Sequence, residues 1–500
     1  MLTLKSKILS IKKVKEKLFF FPLQNIELSG YEFFNCLLNL SKTLSKIEKL
    51  KSKKNIAILY DNSVEYLILS FYILLKKHTL VPLNPHLAAL EILKVIKQSN
   101  STYVISDKKN KKKIKSIKNK IIFNFNTDLT KSKKDLKFNK IFKNKNKNKN
   151  ILLLYTSGST GIPKGSLLSE KNILSNALKI SKHHQIGKKT KTLVLMPMFH
   201  NNGFIISFMS TFLANGKTII APANFIIYKF WAIIKKFEVN YTSLMPSVLS
   251  MLLNHGGKRQ NKSLKIIACG GQKLSRVLLL RFEKKFKTKI IEHYGLTETT
   301  AISSAMSLKK RNLRSVGKAI KGTAIKLYDE KTKKLKNYGY GEICISGKNI
   351  FSGYYNNKKL NREKKIKNFF KTGDYGKIDK KRNLYFAARK DFLIIKGGEN
   401  IYPAEIENTI YQFKQVNECA VLGYYDEIYG EEIYSFVKFK KYKVIYEKQL
   451  NKFLVKNLAR FKLPKKIFYF NKDLKIKDFP KTTTQKIKYK DLKNILKNEI

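Results

Sequence analysis

The stretch Ile151–Gly165, ILLLYTSGSTGIPKG, constrains this chain more than any other. The apolar run from Ile151 to Tyr155 reads as a buried strand. It breaks at once into Thr156, Ser157, Gly158, Ser159, Thr160 and Gly161, with Lys164 and Gly165 following. Hydroxyls and glycine amides in such a loop can wrap the oxygens of a polyphosphate, and the lysine adds a point charge. The spacing is not that of a Walker loop, because Pro163 stands where that pattern places its second glycine after Gly158. A Ser/Gly linker has a similar composition, but linkers rarely start directly from a buried strand and end in Pro-Lys-Gly. A phosphate-binding loop is the expectation.

With 500 residues the chain can build two or more domains with their own cores. Its formal net charge of +67 would ordinarily suggest a polyanionic partner. Only nine of the 102 basic residues are arginine, however, and the lysines are spread along the whole chain. Nucleic-acid interfaces favour arginine for its planar, bidentate contacts, whereas dispersed lysine reads as a solvated surface. No specific nucleic-acid partner is expected, although the field can still steer small anionic ligands. The four cysteines (Cys36, Cys269, Cys344, Cys419) form no CxxC pair, and no histidine cluster has metal-ligand spacing. That pattern suits a reducing compartment without structural zinc. The N-terminus lacks a signal-peptide h-region. The longest apolar stretch, near Tyr66–Leu75, is too short to span a bilayer. The expectation is a cytoplasmic protein without a transmembrane segment.

Glycine usage sharpens the picture: 23 of 24 glycines lie between residues 151 and 430, and Gly30 is the exception. A chain so sparing of glycine places it where backbone must turn or approach a ligand. Residues 1–150 alternate strand-like and helix-like runs: Asn55–Tyr60, an amphipathic helix Val64–Lys76, Leu80–Leu83, a helix Glu91–Gln98 and Thr102–Ile105. Such alternation implies a parallel α/β sheet. The Lys/Asn-rich stretch Asp107–Asn150 reads as weakly ordered surface. Beyond the loop, Leu168–Lys182 has helical spacing, Thr192–Met196 is strand-like and ends in PMFHNNG, and Lys265–Ala268 runs into Cys269-Gly270-Gly271. Val316–Tyr328 and Gly339–Gly347 resemble strands of a small antiparallel unit. In the last hundred residues, Cys419–Gly423 and Ile433–Phe439 are strand-like, with Gly430-Glu431-Glu432 as the turn, and Glu447–Leu458 is helical.

Taken together, these motifs resemble the adenylate-forming superfamily of acyl-CoA synthetases, luciferases and peptide-synthetase adenylation domains. They are the Thr156–Lys164 loop, Pro197-x-x-His200-x-x-Gly203, Gly270-Gly271, HYGLTETT (293–300), Thr372-Gly373-Asp374, Ala388-Arg389-Lys390-Asp391, LIIKGGENIYPAEI (393–406) and PKTTTQKI (480–487). The resemblance covers roughly residues 50–495. It implies an α/β fold: a large N-terminal domain of α/β sheets plus a small β unit (1–390), then a small mobile α+β C-terminal domain (391–500).

By resemblance, the loop residues Thr156, Ser157, Gly158, Ser159, Thr160, Gly161 and Lys164 hold the ATP phosphates, with Thr160 among the catalytic groups. Gly270, Gly271, Tyr294 and Gly295 border the adenine, and an aromatic face suits a purine. Thr297-Glu298 brings a carboxylate to Mg²⁺, which prefers one or two carboxylates plus phosphate oxygens. Asp374 accepts both ribose hydroxyls, as a short ionised carboxylate can, and Arg389 contacts ribose or α-phosphate. His200 lies beside the acyl substrate. Asp391 is the hinge, Gly397-Gly398 admit CoA, and Lys486 drives adenylation. Two departures stand out: Ala388 and Gln485 each replace a glycine of the family pattern.

The implied reaction joins a carboxylic acid to CoA through acyl-AMP, with ATP, Mg²⁺ and CoA as cofactors and co-substrates. Asn201 and Asn202 carry no charge where amino-acid-activating relatives place an aspartate, so an amino-acid substrate is disfavoured. The neutral or apolar surroundings of His200–Phe204, Cys269–Gln272 and Leu296–Ile302 favour a monocarboxylic acyl or aryl acid. Three alternatives stay open: an acyl carrier protein as the acceptor, a basic polyanion-binding protein on a decayed enzyme fold, and a luciferase-like oxidation.

Overall fold

The computed structural model describes residues 2–44, 52–132, 137–142, 149–156, 163–222, 229–255, 257, 262–272, 274–389, 392–396, 399–470, 472–481 and 487–499. Four sheets organise these residues. The first is seven-stranded. Its parallel body, Asn150–Thr156, Thr79–Leu83, Asn55–Leu59, Ser101–Ser106 and Lys120–Ile122, is extended antiparallel by Lys164–Ser169 and then Gly353–Tyr354. The second is nine-stranded. Its parallel centre runs Lys289–Tyr294, Ile266–Cys269, Tyr241–Leu244, Lys191–Val194, Lys217–Ile220 and Lys17–Phe21. Parallel strands need crossovers that cover both faces, and helices supply them here.

One core cluster draws on both large sheets and on the helices Val64–Leu75 and Glu170–His183, including Phe19, Ile58, Leu152, Phe71 and Ile173. Val64–Leu75 is buried at every position but Glu65, so the expected amphipathic helix is instead enclosed on all sides. Its N-cap Ser63 accepts from the Tyr66 N–H at 3.2 Å, satisfying a donor at the half-buried start of the helix. Where it is described, the Lys/Asn-rich stretch also differs from its expected looseness. Phe123, Leu129, Phe138 and Phe142 are buried, and the Asn39 amide donates to the Leu129 carbonyl at 2.8 Å. A few apolar anchors suffice to hold the lysines around them at the surface.

A six-stranded antiparallel unit follows: Lys334–Lys336, Thr323–Asp329, Gly339–Gly347, Phe369–Ile378 and Lys365–Ile366, with Leu384–Arg389 also paired to Phe369–Ile378. Residues from Ile394 onward build a smaller α+β unit with its own apolar clusters. There Val416–Asp426 and Gly430–Phe439 form a long hairpin. The turn expected at 430–432 is therefore part of the strand, and the chain reverses before Gly430. Among the described residues no helix is long and apolar enough to cross a membrane.

Candidate functional site

The phosphate-like loop leaves the strand Asn150–Thr156 and re-enters the sheet as Lys164–Ser169, with Thr156 in register opposite Lys164. Ser157, Gly158, Ser159, Thr160 and Gly161, as well as the Thr156 side chain, lie outside the described residues. Lys164 is half-buried at the loop's exit. A Cβ at Gly165 would stand 2.9 Å from Leu153 Cδ1 and 3.0 Å from the Tyr155 ring, so a larger residue there would make both side chains shift.

His200 follows the strand Lys191–Val194 in a tight loop, its N–H donating to the Pro197 carbonyl at 3.1 Å and its ring beside Phe199 at 4.8 Å. Gly203 is wedged against the Met196 and Pro197 carbonyls. The segment Asn202–Met209 continues as a π-helix, an uncommon form often met next to functional sites. Asn62 staples this loop down. Its amide donates to the Met196 and Ala221 carbonyls, both at 3.1 Å, and to that of Val194 at 3.4 Å, while its Oδ1 accepts from the Met198 N–H at 2.7 Å.

The strand Ile266–Cys269 ends in Gly270-Gly271, and its neighbour Lys289–Tyr294 ends in Tyr294-Gly295. These two parallel strand ends are adjacent, at the carboxyl edge where open α/β sheets bind ligands. Gly270 is buried against His293, whereas Gly271 is exposed in a left-handed conformation (φ +82°) with Met245 Cε, 3.9 Å away, as the nearest atom to a Cβ placed there. Gly295 is fixed by sterics too: a Cβ would fall 1.7 Å from the Ala301 carbonyl oxygen. The turn Thr297–Thr299 then presents Glu298, half-buried.

Asp374 is the most enclosed acid of the site, with 1% exposure. Its Oδ2 accepts from the Tyr294 hydroxyl at 2.7 Å, and its Oδ1 pairs with Arg389 Nε at 2.9 Å. The pairing follows from register, since Asp374 and Arg389 oppose each other on adjacent antiparallel strands. Ala388, one of the two departures from the family pattern, is buried opposite Tyr375 in a strand and does not need the positive φ that would call for glycine. Burial raises the Asp374 pKa above the usual carboxylate value, with Arg389 and the Tyr294 bond pulling it back. The Glu298 charge also pushes it upward, which places both carboxylates in one electrostatic neighbourhood. Burial likewise drives the Tyr294 phenol well above its ordinary value, so it stays a hydrogen-bond donor.

Sequence reasoning passed over the residues that hold these groups. Tyr354 donates to Glu298 Oε1 at 2.8 Å. Asn176 grips Ile302 through both main-chain atoms, at 2.8 and 3.1 Å. Asn172 donates to the Lys348 and Ile350 carbonyls, at 2.9 and 2.8 Å. No motif of the sequence marks these residues, and the asparagines are hidden in an asparagine-rich chain. In the C-terminal unit, Glu407 is buried and accepts from the Val421 N–H at 3.1 Å and the Tyr489 hydroxyl at 2.9 Å, a structural post. Gly397, Gly398, Asp391, Gln485 and Lys486 lie outside the described residues.

Two large α/β sheets sharing a core, an antiparallel unit carrying the Asp374–Arg389 pair, and a smaller C-terminal α+β unit match the architecture that the resemblance to the adenylate-forming superfamily implies. Comparison with known proteins agrees. The AMP-binding enzyme model matches residues 12–355, and the model of the AMP-binding enzyme C-terminal domain matches residues 405–486. An oxalate–CoA ligase of Arabidopsis thaliana is 28% identical over 451 residues, 86% of each chain. An oxalate–CoA ligase of Saccharomyces cerevisiae is 32% identical over 341 residues, 67% of this chain and 61% of the yeast protein. The structure of an o-succinylbenzoate CoA synthetase from Bacillus subtilis, in complex with its acyl-adenylate intermediate, superposes with a TM-score of 0.82 at 25% identity, covering 97% of each chain. The chain belongs to the AMP-binding enzyme family.

Proposed function

We propose that this protein is an ATP-dependent, AMP-forming carboxylic acid–CoA ligase. The observation that carries the proposal is the pair of carboxylates in one neighbourhood: Asp374, buried and held by Tyr294 and Arg389, and Glu298, half-buried and held by Tyr354. A fixed, enclosed carboxylate is the acceptor a ribose diol needs. Beside it, the exposed Gly271 backbone and the Tyr294 ring offer a purine its flat surface. Arg389, with a side chain 47% exposed, can turn its guanidinium toward ribose or α-phosphate.

The acid's carboxylate attacks the α-phosphorus in line, pyrophosphate leaves, and acyl-AMP forms. The CoA thiol then attacks the acyl carbonyl and AMP departs. Catalysis of phosphoryl transfer of this kind rests mainly on position and charge, here supplied by the Thr156–Lys164 loop with Thr160, by Glu298 and by Lys486. Among the described residues no group of three or more His, Cys, Asp or Glu side chains is placed to hold a metal. Glu298 with phosphate oxygens fits Mg²⁺, which tolerates few protein ligands; bound there, the ion would neutralise phosphate charge. Rotation of the C-terminal unit (391–500) about Asp391 would withdraw Lys486 and bring in Gly397-Gly398 for thioester formation, a hinge motion.

The wall around His200 is aromatic, with Phe199 and Phe204 buried next to it, which supports a monocarboxylic acyl or aryl acid. The two relatives named for oxalate favour a second reading, a small dicarboxylate. Mass spectrometry of the protein incubated with ATP, Mg²⁺, CoA and a panel of fatty, aryl and dicarboxylic acids decides between them. A selective acyl-CoA product supports the proposal and names the acid. Acyl-AMP without thioester points to a carrier-protein acceptor, and ATP binding with no adenylate from any acid overturns it.

A further inference from the structure

We propose that Tyr354 is a positioning residue that aims the Glu298 carboxylate, and that it is built into the strand gripping the exit of the phosphate loop. The inference rests on the reading of Glu298 as the carboxylate that meets the metal–ATP complex. Three sets of contacts carry it.

Glu298 is held twice by one short segment. The Tyr354 hydroxyl donates to its Oε1 at 2.8 Å, and the Phe351 N–H donates to its main-chain carbonyl at 2.9 Å. Among the described residues Tyr354 is the one side chain hydrogen-bonded to that carboxylate. A single donor occupying one oxygen fixes the carboxylate's rotation and leaves Oε2 for a ligand.

The same segment is the edge strand beside the phosphate-loop exit. Gly353 and Tyr354 stand opposite Leu167 and Ser166. The Ser352 N–H donates to the Leu167 carbonyl at 2.8 Å, and the Tyr355 N–H donates to the Gly165 carbonyl at 2.7 Å. Glu298 and the loop's exit strand are thereby referenced to one piece of backbone.

Tyr354 itself is locked. Asn361 accepts from its N–H at 2.7 Å and donates to its carbonyl at 3.0 Å. The preceding Gly353 takes φ +132°, and a Cβ there would meet the Asn361 amide at 3.0 Å, so both conformation and space call for glycine. The Phe351 ring packs edge-on against Tyr354 at 4.9 Å and against Phe370 at 5.2 Å. A tyrosine fastened at its backbone and its ring delivers its hydroxyl to one place, and such support is what keeps a ligand-facing carboxylate in geometry.

The test uses the full chain with Tyr354→Phe, which removes the hydroxyl and keeps the ring, and Glu298→Gln as the reference. Mn²⁺ affinity of the protein–ATP complex is read by electron paramagnetic resonance, ATP affinity in EDTA by calorimetry, and KM for MgATP and kcat by ATP–pyrophosphate exchange. Removing one hydrogen bond to a charged group is worth about tenfold. Tyr354→Phe should weaken Mn²⁺ about tenfold and raise KM for MgATP, with ATP binding in EDTA and the thermal midpoint near wild type. Asn361→Ala, which loosens Tyr354 without touching the carboxylate, should shift Mn²⁺ affinity in the same direction by less. Wild-type Mn²⁺ affinity in both variants, with Glu298→Gln impaired, overturns the positioning role alone. Wild-type affinity in Glu298→Gln overturns the underlying reading of Glu298.

Discussion

Acid should destabilise the fold through His293, which is buried against the Gly270-Gly271 turn. Its Nε2 lies so close to Gly270 that a Cβ there would be 2.4 Å away, and its Nδ1 has no hydrogen-bond partner among the described residues. Burial first, and the His183 charge second, hold its pKa down to about 3 from 6.5. The unfolded chain would protonate this histidine at its ordinary value. Between pH 6.5 and 3 the unfolded state therefore binds more protons, and stability falls as the pH is lowered through that window. With about 1.4 kcal/mol per pH unit, His293 alone should cost about 2 kcal/mol at pH 5 and nothing at pH 8. His184, buried with its Nδ1 on the Tyr241 hydroxyl at 2.9 Å, is shifted in the same direction, chiefly by burial, and adds to the loss. Carboxylates titrate over part of the same range, so the informative quantity is a difference. Urea unfolding at pH 8 and pH 5, for wild type and His293→Asn, should show the variant losing about 2 kcal/mol less on acidification. In the folded protein the ring-carbon NMR signal of His293 should stay flat from pH 8 to pH 5. A titration near 6.5, or an equal acid loss in both proteins, would refute the reasoning.

Three further outcomes follow from named contacts. Gly270→Ala drives a methyl into His293 and should lower ATP affinity at least tenfold while destabilising the fold by about 1–3 kcal/mol, read by calorimetry and by thermal unfolding. Asn62→Ala leaves the Met198 N–H and the carbonyls of Met196 and Ala221 short of partners in a buried seam. It should cost about 2–4 kcal/mol, and unchanged urea unfolding would contradict the stapling role. Lys486→Ala should abolish acyl-AMP formation yet transfer CoA onto supplied acyl-AMP, and loss of both half-reactions in a folded variant would defeat that division of labour.

Much of the fold was legible because parallel strands buried on both faces are written as short apolar runs. Asn55–Leu59, Thr79–Leu83 and Ser101–Ser106 fall within a residue or two of where those runs place them. Val64–Leu75 was misjudged in its surroundings alone: periodicity shows that a helix forms, while its enclosure depends on a second sheet arriving from residues far along the chain. Phe138 and Phe142 were obscured by the lysines and asparagines around them. In the site, Asp374, Arg389, Tyr294 and Glu298 could be singled out by motif, but nothing in their spacing reveals that a tyrosine hydroxyl holds each carboxylate.

Sequence by itself determined the chemistry on offer: a hydroxyl- and glycine-rich loop after a buried strand, carboxylates at Glu298 and Asp374, and one of nine arginines at position 389. It also determined where glycine would be needed, since a residue without Cβ leaves its mark on the chain itself. Tertiary structure alone decided which groups meet. Asp374 faces Arg389 because two antiparallel strands pair in that register, and Glu298 is aimed by Tyr354, 56 residues away, because an edge strand closes beside the loop exit. The physical reason is directional: a hydrogen bond needs its donor placed to within tenths of an ångström, and only the packed sheets supply that placement.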